Sequence, residues 1–296
     1  MISGMKVRSS SYYNKGKIFP ISRSKFASYV LRCKLCFYLE QKRGLKPIPM
    51  MPFTLNNAVD FNLKQSFDIC REQKIPHKIM TDNGLQNVIP FQHQELENWR
   101  NSLTKGIKFL HVETGFSLFG GVDDVWIDTN TKELIIVDYK AQAKSNLEDL
   151  KPENYWSNKF HEDYKLQLSF YRYLFEKNGF PVKEIAYIVH YNAKKGVPFE
   201  DVLEFHTSLI PYKTNADNIE PNIFAMKKCL DSDEYPNPDP DCHYCANYIS
   251  RKIILEKDKD GYIQKTSKRN FFQEIFETFK NIGISIINFI KKIFRF

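Results

Sequence analysis

No stretch of about 18 uncharged apolar residues occurs in the 296-residue chain, so no membrane-spanning helix is expected. The first residues lack an apolar h-region with a cleavage site. No secretory signal is therefore read there, and a cytoplasmic, reducing location is expected. Acidic charge is in deficit: 35 Asp+Glu stand against 43 Lys+Arg, a formal net charge of +8. That balance suits a polyanionic partner, although many basic proteins bind nothing acidic. Cysteines number only six, at positions 33, 36, 70, 229, 242 and 245. In a reducing compartment, paired cysteines more often hold metal than form disulfides. What the chain does have is length, enough to bury a sizeable core in one or two domains.

Residues 1–22 are rich in Ser, Tyr, Lys and Arg with little periodicity, which reads as a loose basic arm. Ser24 is placed to cap a helix over 25–35 that ends in Cys33-Lys34-Leu35-Cys36. Gly44, Pro47, Pro49 and Pro52 then enforce an irregular link. Leu55, Val59, Leu63 and Phe67 form the apolar stripe of a second helix, over 55–73. Beside it Asp60, Lys64 and Asp68 make a polar row, which is either a solvated face or a way to bring Asp60 to a site. A short strand is expected at 88–90, a helical turn at 95–101 and a strand at 108–114. The segment 141–159 reads as a surface loop, whose Lys144, Lys151, Tyr155 and Trp156 either contact DNA or pack onto the core. A helix at 161–178 carries Gln167 and Tyr171 at i and i+4. Strands at 184–191 and 202–209 and a helix at 218–230 follow, the first strand apolar on both faces and hence central. After Pro236, Pro238 and Pro240 comes Cys242-His243-Tyr244-Cys245. Residues 268–296 have a strong helical period; that helix packs on protein or lies on a membrane surface.

The chemistry concentrates in residues 119–140. Two apolar runs, 118–127 and 134–140, flank Asp128-Thr129-Asn130-Thr131-Lys132, which is turn chemistry for a β-hairpin. With Ile127 opposite Leu134, the constant sum of antiparallel partners sets Asp123 opposite Asp138. Two carboxylates that close repel unless a cation lies between them. Lys140 shares the face of Asp138, because side chains alternate along a strand. Hard carboxylate oxygens suit Mg²⁺ or Mn²⁺, and the backbone carbonyl of Tyr139 is a further oxygen of the right kind. Such an ion lowers the pKa of a bound water and binds phosphate oxygens. Lys140 is then placed to position the attacking water or to neutralise charge in the transition state. The Tyr139 side chain and Asp124 face the other way, into the core.

Asp123, then Asp138-Tyr139-Lys140, then Gln167-x-x-x-Tyr171 in that order resembles the PD-(D/E)XK nuclease superfamily. The RecB-like branch, with the CRISPR-associated RecB-like exonucleases, is the most similar. Its Gly-x-x-Asp strand is matched by Gly120-Gly121-Val122-Asp123, its (Asp/Glu)-x-Lys strand by Asp138 and Lys140, and its Gln-x-x-x-Tyr helix by Gln167 and Tyr171. The resemblance implies an α/β fold with a restriction-endonuclease-like core, a mixed sheet flanked by helices. Here a C-terminal amphipathic helix is appended. The expected organisation is an arm at 1–23, the nuclease domain at 24–255, and a linker and helical tail at 256–296. Iron–sulfur members of the branch hold a [4Fe–4S] cluster with one N-terminal cysteine and three C-terminal ones. No third cysteine follows Cys245, so Cys36 stands in, giving Cys33, Cys36, Cys242 and Cys245 as ligands of Zn²⁺ or of a cluster. The branch often places a His ligand on an early helix; Asp60 occupies the comparable place here. The activity implied is metal-dependent DNA hydrolysis, as an exonuclease. The alternatives are a structure- or sequence-specific endonuclease and a nucleic-acid-binding scaffold that does not cut.

Overall fold

The computed structural model describes residues 12–45, 54–102, 104–143, 147–196 and 201–259. The tail helix expected at 268–296 and the first eleven residues of the arm lie outside them, as does Lys144. In chain order come β1 (Phe19–Ser22), α1 (Arg23–Leu31), α2 (Lys34–Arg43), α3 (Thr54–Gln73), α4 (Lys78–Asp82), β2 (Val88–Pro90) and α5 (Leu96–Arg100). Next are β3 (Ile107–His111), β4 (Phe116–Gly120), β5 (Asp124–Asp128), β6 (Leu134–Gln142), α6 (Pro152–Ser157) and α7 (Glu162–Lys177). The series closes with β7 (Ile185–Ala193), β8 (Phe205–Lys213), α8 (Ile219–Asp231) and α9 (His243–Lys259). Among the described residues no helix is long and apolar enough to cross a membrane.

The chain divides into two compact units. One draws its described residues from Met1–Tyr13, Ser28–Pro47 and Cys229–Phe296; the other from Asn14–Ala27 and Ile48–Lys228. The larger unit holds both sheets. A five-stranded sheet runs β2-β5-β6-β7-β8, with β6 and β7 parallel and the other neighbours antiparallel. A three-stranded sheet runs β1-β4-β3, with β1 parallel to β4. Two mixed sheets flanked by helices make this a restriction-endonuclease-like α/β fold. Strand β7 is interior, as its apolar sequence requires.

Phe67 of α3 lies on the core face of the large sheet. Its ring stacks against Trp126 and Tyr139, both at 5.5 Å. Val137, Val189, Met80 and Leu63 belong to the same cluster. Burial of each large apolar side chain contributes about 1.5–3 kcal/mol, so α3 is held by the stripe that its sequence shows.

The helix expected over 25–35 is two, α1 and α2, and Ser22 rather than Ser24 accepts from Lys25 N at 3.2 Å. Three further expectations change. The arm does not extend to residue 23: Phe19–Ser22 pairs with β4, and Ile21 is fully buried. The run 118–127 is not one strand but two, β4 and β5, in different sheets. Gly120-Gly121 permits the break, and Val122 N bonds to Trp99 O at 3.1 Å in between. Residues 147–157 are not an open loop. Tyr155 in α6 is fully buried, and Trp156 Nε1 donates to Pro211 O at 2.7 Å. Those aromatics pack on protein, leaving no base-stacking surface at Tyr155.

Candidate active site

Strands β5 and β6 pair with Ile127 opposite Leu134 and Asp124 opposite Val137. Asp128 builds the turn between them, its Oδ1 accepting from Asn130 N at 2.9 Å, and Lys132 takes φ 63°. This register carries Asp123, one residue before β5, to the level of Asp138. Oδ2 of Asp123 accepts the amide proton of Tyr139 at 2.9 Å. Asp138 is fully buried, and Lys140, two residues on, forms an ion pair with its Oδ2. The ammonium of Lys140 also lies 4.7 Å from the ring centre of Tyr164, which adds cation–π attraction.

Helix α7 packs beneath this pair. Gln167 Nε2 donates to Asp138 Oδ1 at 2.6 Å and lies 3.4 Å from Tyr171 Oη. Tyr171 in turn donates to Gly121 O at 2.6 Å. Both glycines are needed for close approach of protein, not of a ligand. A Cβ on Gly120 would stand 2.5 Å from the Tyr171 ring, and one on Gly121 would stand 2.5 Å from the Ser102 backbone. Gly121→Ala is therefore expected to push the carbonyl that Tyr171 holds and to displace Asp123 two residues on. A stability loss of about 1–3 kcal/mol in urea unfolding, together with weaker divalent-ion binding, checks this.

Asp124 faces the opposite side and is fully buried. It accepts from Tyr139 Oη at 2.8 Å and Arg100 Nη2 at 3.0 Å, and it pairs with Arg71. Arg100 also bonds Asp68 of α3 at 3.0 Å. This buried cluster clamps the start of β5, so the adjacent Asp123 is presented to the other face. Asp60 on α3 pairs with Lys64 at 2.8 Å. Burial, and then the charge of Asp123, push its carboxyl above the usual range, which puts Asp60 within electrostatic reach of Asp123.

Burial raises the Asp138 carboxyl to about 7; Lys140 opposes the shift, and the charge of Asp123 adds to it. For Lys140, burial disfavours the charge, but Asp138 and Asp123 outweigh that and hold it above the usual lysine range. The folded Asp138 thus keeps a proton that the unfolded chain releases near 4. Its contribution to the stability of the metal-free protein falls as pH rises from about 4 to about 7. A divalent cation held by Asp138 would compete with that proton. The thermal upshift caused by Mg²⁺ is accordingly expected to be larger at pH 8 than at pH 6, and equal shifts in a melting experiment would contradict this.

Several groups here have no signal in the strand motif alone. Lys140 pairs across β6–β7 with His190, whose Nε2 lies 3.2 Å from Gln142 Oε1; Gln142 Nε2 reaches Tyr164 Oη at 3.4 Å. Gln142 was readable as the next residue on the face of Asp138 and Lys140; His190 needed the strand order. Arg23 pairs with Asp163 at 2.7 Å; burial disfavours its charge, but the nearby acidic groups, Asp163 and Asp138 among them, outweigh that and raise its pKa. A pocket of about 450 Å³ opens between α3 and α5, lined by Phe61, Lys64, Gln65, Arg100 and Ser102.

The fit to a divalent cation rests on the donors. Two carboxylates share one face, one of them is buried, and its Oδ2 has an ion pair but no hydrogen bond of ordinary geometry. Hard oxygen donors of this kind suit Mg²⁺ or Mn²⁺. In the smaller unit, Cys33, Cys36, Cys242 and Cys245 converge, with their sulfurs all within 4.8 Å of one another. Cys70 and Cys229 stand apart from this group and are partly buried.

Asp123, Asp138, Lys140, Gln167 and Tyr171 are thus brought together by β5, β6 and α7. Residues 71–248, more than half of the chain, match the family model of the PD-(D/E)XK nuclease superfamily, and the chain belongs to that superfamily. Among solved structures it is similar to the crystal structure of an alkaline exonuclease from Laribacter hongkongensis. The identity is 12%, the TM-score is 0.36, and the match covers 80% of this chain and 94% of that one. No curated protein matches the sequence.

Proposed function

We propose that this chain is a metal-dependent DNA nuclease of the RecB-like branch, acting as an exonuclease. The observation that carries the reading is the pair Asp123 and Asp138 beside Lys140 on one face of β5–β6. In this reading Asp123 and Asp138 hold Mg²⁺ or Mn²⁺, with Asp60 and the Tyr139 carbonyl as further oxygens. When bound, the ion polarises the scissile phosphate and acidifies a water. Lys140 holds the attacking water and offsets the charge that grows on the phosphate oxygens. Gln167 orients Asp138, and Tyr171 fixes the Gly121 carbonyl two residues before Asp123. The basic balance of the chain favours approach of the polyanion.

Linear and closed circular DNA, single- and double-stranded, incubated with Mg²⁺ or with a chelator, test the reading. Linear strands should be shortened from their ends and circles spared, with no cleavage in the chelator. Nicked circles would move the assignment to an endonuclease. Binding without cleavage under any divalent ion would support the non-cutting scaffold, and faster loss of an RNA of equal length would overturn the DNA assignment.

A further inference from the structure

The four-cysteine group is made by two equivalent pieces of chain. Cys33 is the N-cap of α2, and Cys36 lies in that helix's first turn. Cys242 directly precedes α9, and Cys245 lies in its first turn. In each piece the first cysteine's carbonyl accepts from the amide four residues on, Phe37 N and Ala246 N, both at 3.0 Å. A Cys-x-x-Cys placed at a helix start puts both sulfurs on one side, near the positive end of the helix dipole, which favours thiolates. A further amide, Asp239 N, points at the Cys33 sulfur at 3.3 Å.

Sulfur spacing decides between the metals such a set can take. Cys36 Sγ lies 3.5 Å from Cys242 Sγ and 3.6 Å from Cys245 Sγ, and Cys33 Sγ lies 3.7 Å from Cys245 Sγ. Each of these three separations is far longer than the roughly 2.05 Å of a disulfide bond, and all four cysteines are free thiols. Four sulfurs at about 2.3 Å from one tetrahedral Zn²⁺ stand about 3.8 Å apart, the edge of that tetrahedron. In a [4Fe–4S] cluster each thiolate binds a different iron at a different corner, so the sulfurs are separated by the width of the whole cubane. The present group is too tight to enclose one.

We infer that Cys33, Cys36, Cys242 and Cys245 hold a single tetrahedral Zn²⁺ that staples α2 to α9, and that this chain carries no iron–sulfur cluster. All four ligands are thiolates and none is left open to water, so the site is structural. It uses no residue of the Asp123/Asp138 centre and stands or falls separately from the nuclease reading.

The test is elemental analysis of the full chain purified without oxygen, with assays for acid-labile sulfide and visible absorption. One zinc per chain, no labile sulfide and no visible band are expected. Iron with labile sulfide and a brown colour, one iron without sulfide, or no bound metal even after zinc is supplied would each overturn the assignment. Replacing the native ion with Co²⁺ gives a second readout that needs no variant. Intense red-region bands with thiolate-to-metal charge transfer are expected from four-sulfur tetrahedral coordination, and weak six-coordinate bands would contradict it. Cys36→Ser and Cys242→Ser should lose the stoichiometric zinc, while Cys70→Ser keeps it. Zinc retained in both ligand variants would overturn the assignment as well.

Discussion

Alanine at Lys140 is expected to slow phosphodiester cleavage by about 10²–10⁴-fold, the range for loss of a positioned group that handles the nucleophile's proton or the transition-state charge. The side chain does little for the core. Its ammonium meets Asp138 and the face of Tyr164, and part of it remains exposed. Removing it takes away the opposing influence on Asp138, whose carboxyl already sits near 7 from burial and the Asp123 charge. In the variant, Asp138 therefore holds its proton to higher pH. The residual cleavage should need more alkaline conditions and more divalent ion than the parent. Single-turnover rates across pH 6–9 check both effects. An unchanged rate would remove Lys140 from the chemistry.

The largest effect on stability is expected at Asp124, the carboxylate beside the proposed ligand. Asp124→Ala leaves Arg71 and Arg100, both almost fully buried, with only the more exposed Asp68 as a shared counter-charge. It also strands the hydroxyl of Tyr139. Breaking a buried ion pair from one side costs about 3–5 kcal/mol, so the urea midpoint of the metal-free protein should fall steeply. Asp123→Ala is the informative contrast. It deletes one hydrogen bond to Tyr139 N, worth about 1 kcal/mol, and also deletes a repulsion with Asp138. Its stability should stay near that of the parent while metal binding is lost. If the two neighbours destabilise equally, the division of labour between the faces is wrong.

The register of the β5–β6 hairpin was legible because it depends on local signals: Asp128 and Asn130 in the turn, and strict alternation on both sides. From it followed the meeting of Asp123 with Asp138, the shared face of Lys140 and the inward turn of Asp124. Helices α3 and α7 were legible from their apolar stripes. The split of 118–127 was not, because sheet membership is a tertiary property. Gly120-Gly121 marked the spot, but the reason is the proximity of Tyr171 and Ser102, far away in sequence. The strand at Phe19–Ser22 was hidden for the same reason, since β4 supplies its partner. Tyr155 was ambiguous in a polar segment, and packing onto protein resolved it. The spacing of the cysteines suggested a metal but not which one; the proposed choice of zinc rests on sulfur–sulfur distances, which spacing does not contain.

The most direct measurement is the rate of cleavage of a linear DNA as Mg²⁺ is raised, for the parent chain and for Asp138→Asn, whose side chain keeps the shape but loses the charge. The parent should be silent in a chelator and rise to saturation with Mg²⁺, and Asp138→Asn should remain near background at every concentration. Cleavage by the parent without a divalent ion, or a variant that keeps pace with it, would contradict the assignment of the facing carboxylates as the metal site.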